Sequence, residues 1–173
     1  RVELRDVPLP APLEPVYPVS VVSVQRGDGF VGPCGPEDAR IMGPPLEWDQ
    51  RSVFFRRLQT ERVKPDESAV THPGDLTNDG TGDAVLHGDG ATVTYDFGRG
   101  YVGFIGLEVT GQAGQVLEIA WNERLPQAEP TARPRAQVGN NALRYILRDG
   151  RQSFLAFTPQ FIRSLRIAHR GES

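Results

Sequence analysis

The sequence predicts an all-β protein, an antiparallel β-sandwich or jelly roll with long irregular loops. Three observations carry that expectation. Apolar and polar residues alternate with period two in short runs from Ala91 onward. The chain of 173 residues holds 19 glycines and 15 prolines, which punctuate those runs, and both residue types cost free energy inside helices. No helical run long enough for a βαβ crossover lies between the alternating segments, which disfavours a parallel sheet.

Composition bounds the function classes. Hydrophobic residues at 38% and charged residues at 24% give enough apolar material for one packed domain. No segment approaches the roughly 20 consecutive apolar residues of a membrane span, so no membrane partner is expected. A formal net charge of -3 argues against a nucleic-acid partner, which would demand a basic surface. The single Cys34 leaves no partner for an internal disulfide and rules out a thiolate metal cluster. The chain opens on RVELRD, without the apolar core of a signal peptide. Both a cytoplasmic and a secreted setting fit, as does a piece excised from a larger protein.

The elements follow in chain order. Residues 1–18 contain VPLPAPLEPVYP, whose repeated prolines favour an extended, polyproline-like leading arm or linker. Residues 19–173 read as a single β-sandwich domain. Val19 to Val24, VSVVSV, alternates as a strand. Gly27 to Trp48 is dense in glycine and proline and reads as an irregular loop. Arg51 to Val63 fits neither period cleanly, with a strand favoured and a short helix as the alternative. Asp75 to Asp83, DLTNDGTGD, is a loop.

The strand pattern then becomes regular. In ATVTYDFG, Val93, Tyr95 and Phe97 share one face, and Asp96 faces the other way. Val102 to Val109 and Val116 to Trp121 repeat the alternation. Leu117, Ile119 and Trp121 share a face, with Glu118 and Ala120 pointing away. Tyr145 to Leu147, Phe154 to Phe157 and Phe161 to Ile167 supply closing strands. Strands at intervals of roughly 10 residues, separated by Gly, Asp and Pro, are the pattern of sandwiches and jelly rolls.

The segment YDFGRGYVGFIGLEVTGQAGQVLEIAWNERL carries an ordered set of features. Asp96, Phe97 and Gly98 form a turn, and Gly103 to Val109 a glycine-bearing strand. Gly111 to Gly114 make a second turn, and the next strand ends at Glu123 and Leu125. YILRDG at Tyr145 to Gly150 and FTPQFIRSLRIAHRG complete the set. Over about residues 90 to 170 it resembles the β-sandwich domain that precedes the catalytic barrel in bacterial α-L-rhamnosidases. It is also similar to family 67 carbohydrate-binding modules. The pattern departs at Ile162 and Ser164, where glycine and phenylalanine are usual, and at Leu143, where an aspartate is common. The resemblance implies an accessory jelly roll, either a calcium-dependent rhamnose-binding module or a structural spacer. It also implies a catalytic domain in the same parent chain as partner.

Candidate site residues come from what a sugar needs: an apolar ring face and a few planar polar groups for adjacent hydroxyls. Trp121 offers the ring and Glu123 the bidentate acceptor, two residues apart on one strand face. Trp121 is equally in phase with Leu117 and Ile119, which makes it a core residue on the plainer reading. Asn140 and Asn141, in VGNNALRY, carry amides that suit both a sugar diol and calcium. Ordinary turn chemistry explains the same pair. Arg133 and Arg135 lie in the same long loop, where Arg135 can donate to hydroxyls or simply be solvated. The resemblance places a calcium and a rhamnose at such acid and amide pairs.

Other constellations carry less. Asp75, Asn78, Asp79 and Asp83 lack the spacing of an EF-hand loop. His72, His87 and His169 have no zinc spacing. No serine sits in a nucleophile elbow, and GRGYVG is followed by no helix. No two carboxylates are placed to flank a glycosidic bond at roughly 5 Å or 6.5–9.5 Å. The chain by itself is therefore expected to be non-catalytic; the resemblance implies an accessory domain that binds rhamnose-containing glycan. The alternatives are a spacer packed on a catalytic barrel and a protein-interaction module.

Overall fold

The computed structural model describes residues 13–27, 63–123 and 142–171. The expected loop from 28 to 48, most of the ambiguous segment 51–63, Cys34, Arg133, Arg135, Asn140 and Asn141 lie outside them, as do residues 1–12.

Among the described residues ten strands run in chain order: β1 (Ser20–Gly27), β2 (Val63–Pro65), β3 (Val70–Thr71), β4 (Val85–Leu86), β5 (Ala91–Gly103), β6 (Gly106–Gly111), β7 (Val116–Asn122), β8 (Ala142–Ile146), β9 (Gly150–Leu155) and β10 (Gln160–Arg170). Six of them form one sheet in the order β2-β1-β5-β10-β7-β8, and the others pair as two ribbons, β3-β4 and β6-β9. Every pairing is antiparallel. The helical content among the described residues is two short 3-10 turns, Glu67–Ala69 and Pro73–Leu76. This is the antiparallel, all-β class that the alternation predicts.

Side chains one register row apart build the core. Val24, Val93, Ile167, Ile119 and Leu143 lie opposite one another across five strands. Val21, Tyr95, Leu165 and Trp121 form the next row. The β6-β9 ribbon closes over this face with Leu107 and Val109, helped by Ile105 and Leu147. The rings of Tyr145 and Phe154, 4.9 Å apart, join sheet and ribbon. Ala69, Val70 and Leu86 close it from the other ribbon. Each such apolar side chain contributes about 1.5–3 kcal/mol on burial.

Several expected strand boundaries shift, two of them with a clear cause. The strand expected from Val102 to Val109 is split: Val102 and Gly103 end β5, which runs from Ala91 through a bulge, and 106–109 belong to β6. Tyr101 pairs with Ile162 and Asp96 with Ser164, so residues 97–100 have no regular partners in the ladder. The expected strand through Phe157 stops at Leu155. There the Ala156 N–H donates to the Ile105 carbonyl, and the chain turns into Pro159, which has no N–H to continue a ladder.

Candidate functional site

The site residues inside the described region sit where β7 runs out. Trp121 lies opposite Leu165 and packs into the core, 9% exposed. Its ring is therefore covered by protein, in phase with Leu117 and Ile119. Asn122 pairs with Ser164, and Glu123 follows past the strand end with its side chain exposed. Glu123 thus reaches solvent because the strand stops, while Trp121 two residues earlier does not. The structure does not bring these two together as ring and acceptor on one open face.

Beside this end lies the β5 bulge. An Asp96 carboxylate oxygen accepts from the Gly98 N–H at 2.9 Å and from Arg163 Nε at 3.2 Å. Gly98 has φ 76°, a left-handed conformation that a side chain would strain. Phe97 meets Tyr101 edge-on at 6.5 Å, and the Arg99 guanidinium lies 4.9 Å above the Tyr101 ring. The aspartate-phenylalanine-glycine turn is thus a brace that joins β5 to the first part of β10.

The face of the sheet opposite the core is polar, yet much of it is buried. Thr92, Thr94, Asp96, Ser164 and Arg170 are buried, and Glu118 is 0% exposed. Glu118 Oε1 accepts from Arg144 at 2.9 Å and Oε2 from Arg170 Nε at 2.8 Å. The alternation correctly turns Glu118 away from the core. Its full burial between β8 and β10 could be read only with the register, which sets Glu118 opposite Arg144 and Ala168. Both buried carboxylates are engaged by arginine, an arrangement that ties strands together.

The Asp75–Asp83 loop is turn chemistry. Asp79 accepts from the Thr81 N–H at 3.2 Å and its hydroxyl at 3.0 Å, and Thr77 Oγ1 donates to the Gly74 carbonyl at 2.6 Å. Among the described residues, no group of three or more His, Cys, Asp and Glu could hold a metal ion. His87 bonds Thr71 at 2.6 Å and His169 the Gly88 carbonyl at 2.8 Å, at separate places. An open polar cleft on the β6-β9 ribbon is lined by Glu108, Arg151, Gln152 and Ser153. The Arg151–Glu108 ion pair there is exposed.

Three groups among the described residues titrate away from their ordinary values; one is Arg151, raised by its hydrogen bond to Glu108. Burial pushes the Tyr95 hydroxyl up to about 12, and its O–H donates to the Pro73 carbonyl at 2.9 Å. The Ser68 hydroxyl, then Arg26 at 2.7 Å, hold the Asp66 carboxyl below its usual value.

Known proteins match part of this chain. Residues 87–167 match the family model described as the bacterial alpha-L-rhamnosidase concanavalin-like domain. Among solved structures, a GH78 family rhamnosidase of Bacillus sp. GL1 matches at 29% identity with a TM-score of 0.42. That match covers 51% of this chain and 9% of the enzyme, so the chain spans a small part of that enzyme's length. No curated protein matches. The matched residues run from the loop before β5 to near the end of β10, the same stretch that holds the bulge, the buried glutamate and the end of β7. Residues 87–167, a little under half of the chain, are thus similar to the concanavalin-like domain of bacterial alpha-L-rhamnosidases.

Proposed function

We propose that the chain is the accessory domain of an α-L-rhamnosidase-like glycoside hydrolase and that it holds rhamnose-containing glycan at the end of the sheet where β7 stops. The family match over residues 87–167 carries the reading. Glu123 supports it as an exposed carboxylate at that end, able to accept from a sugar diol. Asn140, Asn141 and Arg135 are the further polar donors and acceptors of the proposed site. Trp121, packed in the core, is not part of the sugar-binding surface in this reading. Calcium fits this donor set as a hard cation that prefers oxygen ligands. Of the proposed set, Glu123 is the described oxygen donor; the loop amides would complete it.

Calorimetric titration of L-rhamnose tests the proposal, with and without calcium. Weak saturable binding is expected, with Kd about 1 mM, because a monosaccharide buries little surface. Tighter binding with calcium is the expected sign of a metal bridge. The burial of Trp121 favours a second reading, a spacer without a sugar site. A flat titration under both conditions selects that reading.

A further inference from the structure

Large apolar side chains are exposed together at one rim of the sandwich. Phe157 is 96% exposed, Val102 74% and Leu155 56%, with Phe161 and Phe104 also exposed. The register brings them close. Phe161 lies opposite Val102, and Leu155 opposite Gly106. The Ala156 N–H to Ile105 carbonyl bond, 2.8 Å, runs the crossing from β5 to β6 alongside the crossing from β9 to β10. The Phe161 ring covers Gly100, where a Cβ would stand 2.5 Å from its Cζ.

We propose that this rim is the docking surface for a neighbouring domain of the same polypeptide, one that presents an apolar face. The inference rests on the accessory-domain reading. Area decides between occupants. Five such side chains offer on the order of 500 Å² of apolar surface, near the upper range of patches on monomers. Matched by a partner, that gives about 1,000 Å² in total, the size of contacts between domains of one chain. An obligate dimer runs to about 2,000 Å² or more. A tethered domain needs no such area, because the linker supplies a high effective concentration. Position agrees: the rim flanks the start of β10, the end of the sheet where Glu123 emerges from β7. A domain seated there faces any glycan held at Glu123.

Amide hydrogen exchange tests the docking, run on the 173-residue chain and on the full-length polypeptide that contains it. In the full-length protein, exchange at residues 103–105 and 155–158 is expected to slow at least about tenfold. Phe157→Asp and, independently, Leu155→Ser are expected to return it to the rate of the shorter chain. Protection of residues 91–96 in β5 reports that both variants stay folded. Equal rates in the two wild-type proteins overturn the proposal, as does slowing that neither variant relieves. Slowing that appears in the shorter chain and grows with its concentration also overturns it, in favour of a second copy. Hydrolysis of p-nitrophenyl α-L-rhamnoside by the full-length protein is read separately. Its absence retires the rhamnosidase reading without changing what exchange says about the rim.

Discussion

Glu118 is fully buried, and two arginines hold it from opposite sides. Removing a partner from such a cluster leaves uncompensated charge, so Glu118→Ala is expected to lose about 3–5 kcal/mol in urea unfolding. Asp96 satisfies one backbone N–H and one guanidinium. Asp96→Ala should therefore cost about 2 kcal/mol, and Asp96→Asn less, because the amide oxygen still accepts from Gly98. Tyr95 gives a pH dependence whose sign follows from its raised pKa. The group is neutral in the fold and ionises more easily when unfolded. Its contribution is full below about pH 10 and lost as pH rises towards about 12. Tyr95→Phe should flatten the alkaline limb of a stability profile. Glu123, exposed beyond β7, is expected to tolerate Ala with stability changed by under about 0.5 kcal/mol.

At the scale of elements, glycine sets two geometries. Gly90 has φ 78°, and a Cβ there would stand 2.6 Å from the Gly27 carbonyl oxygen. It lets the turn before β5 approach the end of β1, where the Gly27 N–H donates to the Gly90 carbonyl at 2.9 Å. Gly90→Ala combines backbone strain with a backbone clash and should destabilise by more than about 2 kcal/mol, read as a lower melting temperature. Much of the strand layout was legible. Val93 with Tyr95, and Leu117 with Ile119, alternate as half-buried strands should, and they line the core. The burial of Thr92 and Thr94 was not legible. It arises because β5 lies between β1 and β10, pairings made across long stretches of chain. Local alternation carries no information about them. The bulge was hidden for a similar reason. DFG reads as a turn, and only the offset of Ile162 and Ser164 against Tyr101 and Asp96 shows a brace within one strand.

At the scale of the molecule, one six-stranded sheet and two ribbons enclose the core among the described residues, and the proposed site lies at an end of the sheet. The order of turns and strands was legible where it counts for the comparison: the resemblance read over about residues 90 to 170 coincides with the matched residues 87–167. The site was legible only in part. Glu123 is exposed because a strand ends there, which the sequence signals. Whether Trp121 faces sugar or core depends on which sheet face the ribbons cover, and that is a tertiary fact. The reading as a whole requires a sugar at the end of β7. Amide chemical-shift mapping with L-rhamnose and calcium tests that most directly. The account predicts saturable shifts centred on Asn122, Glu123 and the neighbouring Arg163 and Ser164, lost in Glu123→Ala. No shifts, or shifts confined to the opposite end around Gly90 and Gly171, would contradict it.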